Sequence, residues 1–149
     1  MIQKFKKFTK LPKEEKKLFI EAYVTLGIMR MAILMVSFKR LTRSLRHSAK
    51  KEVLAELGKE ERKTAQSVGQ AIMSASAHTP WESACLAQAL TARKMLQKRG
   101  ISGVFYLGVA KDDQREEKMK AHAWSQCGDV IITGGRGHGS FTVVSVFGW

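Results

Sequence analysis

Apolar positions are densest between Leu18 and Phe38, in the run LFIEAYVTLGIMRMAILMVSF. Lys17, Glu21 and Thr25 form one polar helical stripe, and apolar residues occupy most of the remaining circumference. Such a helix buries more than one side, against its own domain or a partner protein. Lying in a membrane interface, helped by the neighbouring lysines, is the alternative. Glu21, Arg30 and the Thr25-Leu26-Gly27 interruption argue against a transmembrane span, which needs roughly 20 nearly uncharged residues. The run also begins late for a signal peptide and ends in no clear small-x-small cleavage site. The expected location is cytoplasmic, with membrane association left open.

Further along, Lys39, Arg43 and Arg46 are spaced to share a helix face. Glu52 to Ala77 has helical spacing, with Gly58 expected to separate two helices. Ala84 to Arg99 is the next helix, capped by Ser83 or begun earlier at Thr79-Pro80, and stopped by Gly100 in the C′ position. Ser102 to Ala110 alternates as a strand, and a charged loop follows to Lys120. Ala121 to Gln126 and Val130 to Thr133 form a hairpin around Gly128-Asp129. After the glycine-rich loop of residues 134–139, Phe141 to Phe147 is a last strand. That loop is no phosphate-binding fingerprint, because a strand rather than a helix follows it. Helices followed by a strand meander packed on the Cys85 helix make an α+β fold.

The length, 149 residues, suits one core. Two cysteines make no disulfide framework, so the thiols are expected free in a reducing compartment. The net charge of +13 is lopsided: residues 1–63 hold 17 basic and 7 acidic side chains, residues 64–149 only 9 and 6. The charge distribution therefore suggests a basic N-terminal helical region (1–63) and a second, less charged domain (64–149). An anionic partner is implied, but no aromatic-interleaved stripe or nucleic-acid motif accompanies the basic run, so no specific nucleic-acid partner is expected.

Candidate chemistry gathers after Pro80. With Ser83 as cap, Cys85 is the second helical residue, where free backbone N–H groups and the helix dipole stabilise a thiolate. With Thr79 as cap it sits a turn deeper and gains less. Zinc ligation by Cys85, His122, Cys127 and His138 is disfavoured, because no Cys-x-x-Cys or paired-His spacing is present. No cofactor is expected. Cys127 is expected inert, and His47 and His78 are expected on the surface.

The run Trp81-Glu82-Ser83-Ala84-Cys85-Leu86-Ala87-Gln88-Ala89-Leu90, with Lys98-Arg99-Gly100, Leu107-Gly108-Val109 and Ala121-His122-Ala123-Trp124, resembles the transglutaminase-like leader peptidases of lasso peptide biosynthesis. The likeness spans most of residues 80–147 and is similar to the free-standing peptidase half of a split system. It implies a small transglutaminase/papain-like domain, its Cys-bearing helix packed on an antiparallel sheet. It also implies a thiol protease that removes the leader from a ribosomally made precursor peptide. The implied partners are that precursor, a separate leader-recognition protein and a lasso cyclase.

On that resemblance Cys85 is the nucleophile, His122 the general base and Asp129 the orienting carboxylate. Trp81 and Trp124 are candidates to line the substrate groove, with helix-start packing and a core aromatic as their plainer roles. Hairpin geometry opposes Asp129. If Cys127 and Val130 flank a two-residue turn, Ser125 faces Ile132, His122 faces Gly135, and Asp129 lies roughly 20 Å along the strand from His122. The partner of His122 should then come from residues 133–135, as Thr133 or a backbone carbonyl, or else be His138 of the following loop. An acyltransferase using the same Cys and His, or a noncatalytic basic adaptor binding nucleic acid or membrane, are the competing functions.

Overall fold

The computed structural model describes residues 6, 8–48, 54–80, 84–111 and 119–149. Helix α1 runs from Lys13 to Met35, and Ser37 precedes a single turn, α2 (Phe38–Leu41). The basic run does not continue as a helix. It turns at residues 42–45 and becomes a short strand, β1 (Arg46–Ser48), so Lys39, Arg43 and Arg46 share no helix face.

Helix α3 spans Lys59–Ser76, with Gly58 as its N-cap rather than a break between two helices. The Glu61 carboxylate reaches back to accept the Gly58 amide proton at 3.4 Å, and Glu60 and Glu61 complement the positive helix end. Helix α4 spans Cys85–Lys98 with Ala84 at the N-cap, so Cys85 is its first residue. Ser83 lies outside the described residues. The other end is as the glycine predicts: Gly100 has φ +73°, its amide donates to Gln97, and the Ile101 amide donates back to Leu96.

Four strands follow: β2 (Val104–Lys111), β3 (Met119–Cys127), β4 (Val130–Thr133) and β5 (Thr142–Gly148). The antiparallel sheet has the order β1-β5-β2-β3-β4, so a strand from before α3 and α4 closes one edge. On one face, Ala89 and Leu90 of α4 pack on Phe105, Ala123 and Phe147. Behind and beside α4, Ala22 and Leu26 of α1 share a core with Val68 and Ile72 of α3 and with Met95 and Leu96. On the other face Val104, Tyr106, Trp124 and Val146 form a separate cluster with Leu54, Phe141 and Val143. The point between residues 63 and 64, where the charge distribution suggests a division, lies inside α3, and helices from both sides of it share one core.

The polar stripe of α1 is inverted relative to expectation. Thr25 is buried, and Glu21 accepts two hydrogen bonds from the Arg99 guanidinium, at 2.9 and 2.6 Å. The pair ties α1 to the C-terminal end of α4. It wins over apolar contact there because two parallel charge-assisted bonds satisfy both partly buried ions. The Arg99 guanidinium holds the Glu21 carboxyl below its ordinary value, against the opposing effect of burial. Glu21→Gln should therefore cost about 1 kcal/mol of stability at neutral pH. A carboxylate with a lowered folded-state pKa contributes its stability above the unfolded value and loses it as pH falls through the folded one. Urea unfolding should show the gap between wild type and variant closing in acid.

Candidate functional site

The two candidate thiols sit in opposite environments. Cys85 is partly exposed at the start of α4, beside Leu86 and against the cluster that contains Ala89, Phe105 and Ala123. The first amides of a helix have no intrahelical partner, so this position offers N–H donors to a thiolate or to an oxyanion formed on its substrate. Cys127 is fully buried at the end of β3, and burial pushes its thiol up to about 12. It is inert at neutral pH.

His122 lies mid-sheet on β3, opposite Gly108 of β2. Its ring stacks near Trp124, with centroids 5.8 Å apart, and tilts against Phe141 at 5.0 Å. Its Nε2 lies 2.6 Å from the carbonyl oxygen of Gly134. A carbonyl only accepts, so Nε2 carries the proton and donates, which leaves Nδ1 as the lone-pair nitrogen able to take a proton. The imidazole is thus oriented by main chain drawn from the segment that the hairpin arithmetic indicates.

The register that delivers this carbonyl differs from a plain hairpin. Cys127 pairs with Val130 and Gln126 with Ile131, but Ser125 pairs with Thr133, so Ile132 is an extra residue in β4. The bulge turns Thr133 onto the helix side, where its hydroxyl meets that of Ser125 at 2.7 Å; Thr133 is thereby spent away from His122. Gly134 then takes φ +69° with its Cα against the Ala123 carbonyl, where a Cβ would also come within 3.0 Å of Trp124. Only glycine combines that backbone conformation with so close an approach.

Asp129 is elsewhere. It sits in the β3–β4 turn, exposed, and its carboxylate accepts a hydrogen bond from Arg62 of α3, which lowers its pKa. The carboxylate expected from the resemblance to orient His122 is replaced there by the Gly134 carbonyl. His138 is not the orienting group either: its Nδ1 donates to the Gly135 carbonyl at 2.6 Å, and its ring lies 5.6 Å from Trp124. Trp124 adjoins His122 as strand alternation requires, but at 1% exposure it is a core aromatic and offers a bound peptide no surface. Trp81 lies outside the described residues. Among the described residues no three His, Cys, Asp or Glu side chains cluster as metal ligands.

Cys85 and His122 are not brought together. Successive side chains of a strand leave it on opposite faces. Ala123 points to the helix side with Cys85, whereas His122 joins Trp124 and Phe141 on the other. Among the described residues no hydrogen bond links thiol and imidazole. On the helix side the nearest histidine by register is His47 of β1, which is exposed, as the sequence pattern predicts. It pairs with Phe147, stacks on that ring at 4.9 Å, and its Nε2 lies 3.3 Å from the Ser145 hydroxyl. Phe147 belongs to the cluster against which Cys85 packs.

Comparison with known families decides the class. A profile of the transglutaminase-like superfamily matches residues 32–146. The chain belongs to the transglutaminase-like superfamily. The match begins in the last turn of α1 and ends within β5, so the residues that α1 gives to the core, Ala22, Leu26 and Met29, lie before it. This superfamily comprises cysteine peptidases and transglutaminases, so cysteine-based acyl chemistry goes with the fold. No curated relative and no solved structure matches the chain.

Two outcomes follow for this transglutaminase-like domain. Iodoacetamide near neutral pH should alkylate Cys85 in the native protein and leave Cys127 unmodified until denaturant is added, as read by peptide mass spectrometry. Gly134→Ala should destabilise the protein by about 1–3 kcal/mol, through the disfavoured φ and the contact with Ala123. It should also shift the ¹⁵N and ¹³C resonances of the His122 ring, whereas Gly137→Ala in the open loop should not.

Proposed function

We propose that this transglutaminase-like protein is a cysteine peptidase that removes the leader from a ribosomally synthesised lasso peptide precursor. The Cys85 sulfur attacks the scissile carbonyl as His122 takes the thiol proton. The tetrahedral intermediate expels the amine, which leaves with that proton. Water, deprotonated by the same imidazole, then hydrolyses the thioester and restores the thiol. A separate recognition protein supplies affinity for the leader, and the product passes to a cyclase.

The observation that carries the reading is the pairing of the superfamily match with Cys85 at the first position of α4. Its support is the run from Trp81 to Leu90 together with Ala121-His122-Ala123-Trp124, and the fixed tautomer of His122. Because His122 lies on the face of β3 away from Cys85, the reading requires β3 to rearrange so that the imidazole turns toward the start of α4 when substrate binds. Acyl transfer to an amine is the second reading, favoured by the same superfamily, which holds transferases as well as peptidases.

Incubation with leader-bearing precursor peptides, with and without a candidate recognition protein, tests both. Cys85→Ala should cut turnover by about a thousandfold or more, and His122→Ala should come close to it. Cys127→Ala should stay active, and Asp129→Asn should lose far less than His122→Ala. Residual cleavage in Cys85→Ala near the wild-type rate would refute the mechanism. A loss confined to His47→Ala, with His122→Ala active, would move the base to β1. A product heavier by an added amine, in place of the hydrolysed one, would establish the transferase.

A further inference from the structure

The outward face of α1 is apolar, and among the described residues none covers it. Ile20, Val24, Ile28, Met31 and Met35 follow one another at intervals of three or four residues, and each is between 52% and 75% exposed. At about 1.5 Å per residue this stripe is roughly 22 Å long. Within that span the helix carries Glu21 and Arg30, both half-buried, and its exposed charges stand at the ends. Lys13 and Lys17 continue the same spacing on the N-terminal side and are exposed; Lys39, Arg40 and Arg43 are exposed just past the other end. The acidic groups near the stripe are Glu14, paired with Lys17 at 3.9 Å, Glu15, and Glu21, which is taken up by Arg99.

We propose that this face of α1 docks the protein, lying flat, on an anionic phospholipid surface. The apolar stripe enters the boundary between headgroups and acyl chains, and the cations beyond its two ends meet lipid phosphates. A headgroup layer is negative past both ends of the helix at once, which is what the charge distribution complements. By length and composition α1 is also able to cross a bilayer. The opposite face excludes that in the folded protein: Ala22 and Leu26 are fully buried in the core shared with α3 and α4, and Glu21 is clamped to Arg99. This proposal is independent of the peptidase reading, since it concerns a surface to which neither Cys85 nor His122 contributes.

Cosedimentation of the full chain with large unilamellar vesicles tests it, using phosphatidylcholine alone and phosphatidylcholine mixed with phosphatidylglycerol. Binding should be about tenfold or more tighter to the anionic vesicles and should weaken as salt rises. Val24→Glu/Ile28→Glu/Met31→Glu should abolish binding with an unchanged circular dichroism spectrum, because those side chains are exposed. Lys13→Glu/Lys17→Glu, which leaves the stripe intact, should weaken binding to anionic vesicles by about tenfold. Absence of wild-type binding, or binding unaffected by the triple substitution, would overturn the proposal. So would a wild-type dimer that the triple substitution converts to monomer while lipid binding persists, because the stripe would then serve a second copy of the chain.

Discussion

Burial of α4 is the constraint that the remaining elements satisfy. Its small residues, Ala87, Ala89 and Ala92, let it approach both the sheet and the helices, while Leu90, Met95 and Leu96 fill the space between. Truncating one such buried large side chain in a core of this kind costs about 2–5 kcal/mol. A helix enclosed in this way needs cover behind it, and α1 supplies it. The stability of the Cys85 end of α4 is therefore tied to a helix some fifty residues earlier; Met29 of α1 sits in the same cluster that Cys85 packs against.

That dependence explains what was legible from the residues alone. Local signals read well: Gly100 stops α4, Gly128-Asp129 turns the hairpin, and alternation in β2 and β3 puts Trp124 beside His122. Each depends on a few neighbouring residues. Long-range partners were not legible. The small strand β1 has only three residues and no periodicity of its own; it exists because the edge of β5 is available to it. The polar stripe of α1 faces inward for the same reason. Glu21 is polar, but a guanidinium in the C-terminal turn region of α4 makes the interior its better solvent, which exposes the apolar side instead.

The candidate site divides along the same line. Hairpin arithmetic argues against Asp129 as the partner of His122 and points to residues 133–135, and the Gly134 carbonyl is there. The arithmetic failed by one residue at Ile132, since a bulge leaves no mark in a run of β-branched residues. The relation of Cys85 to His122 was beyond any local rule. Alternation assigns a residue to a face but does not say which face a helix thirty-seven positions earlier will cover.

An imidazole steadied by a peptide carbonyl has a neutral support. A carboxylate in that place would bring a full charge and a titrating group of its own; the Gly134 oxygen brings neither. It also has no side chain of its own to be exchanged. Substitution reaches the acceptor indirectly, through the glycine at 134 that permits its torsion angles and through the bulge before it, so half of this hydrogen bond is encoded as a shape of the main chain.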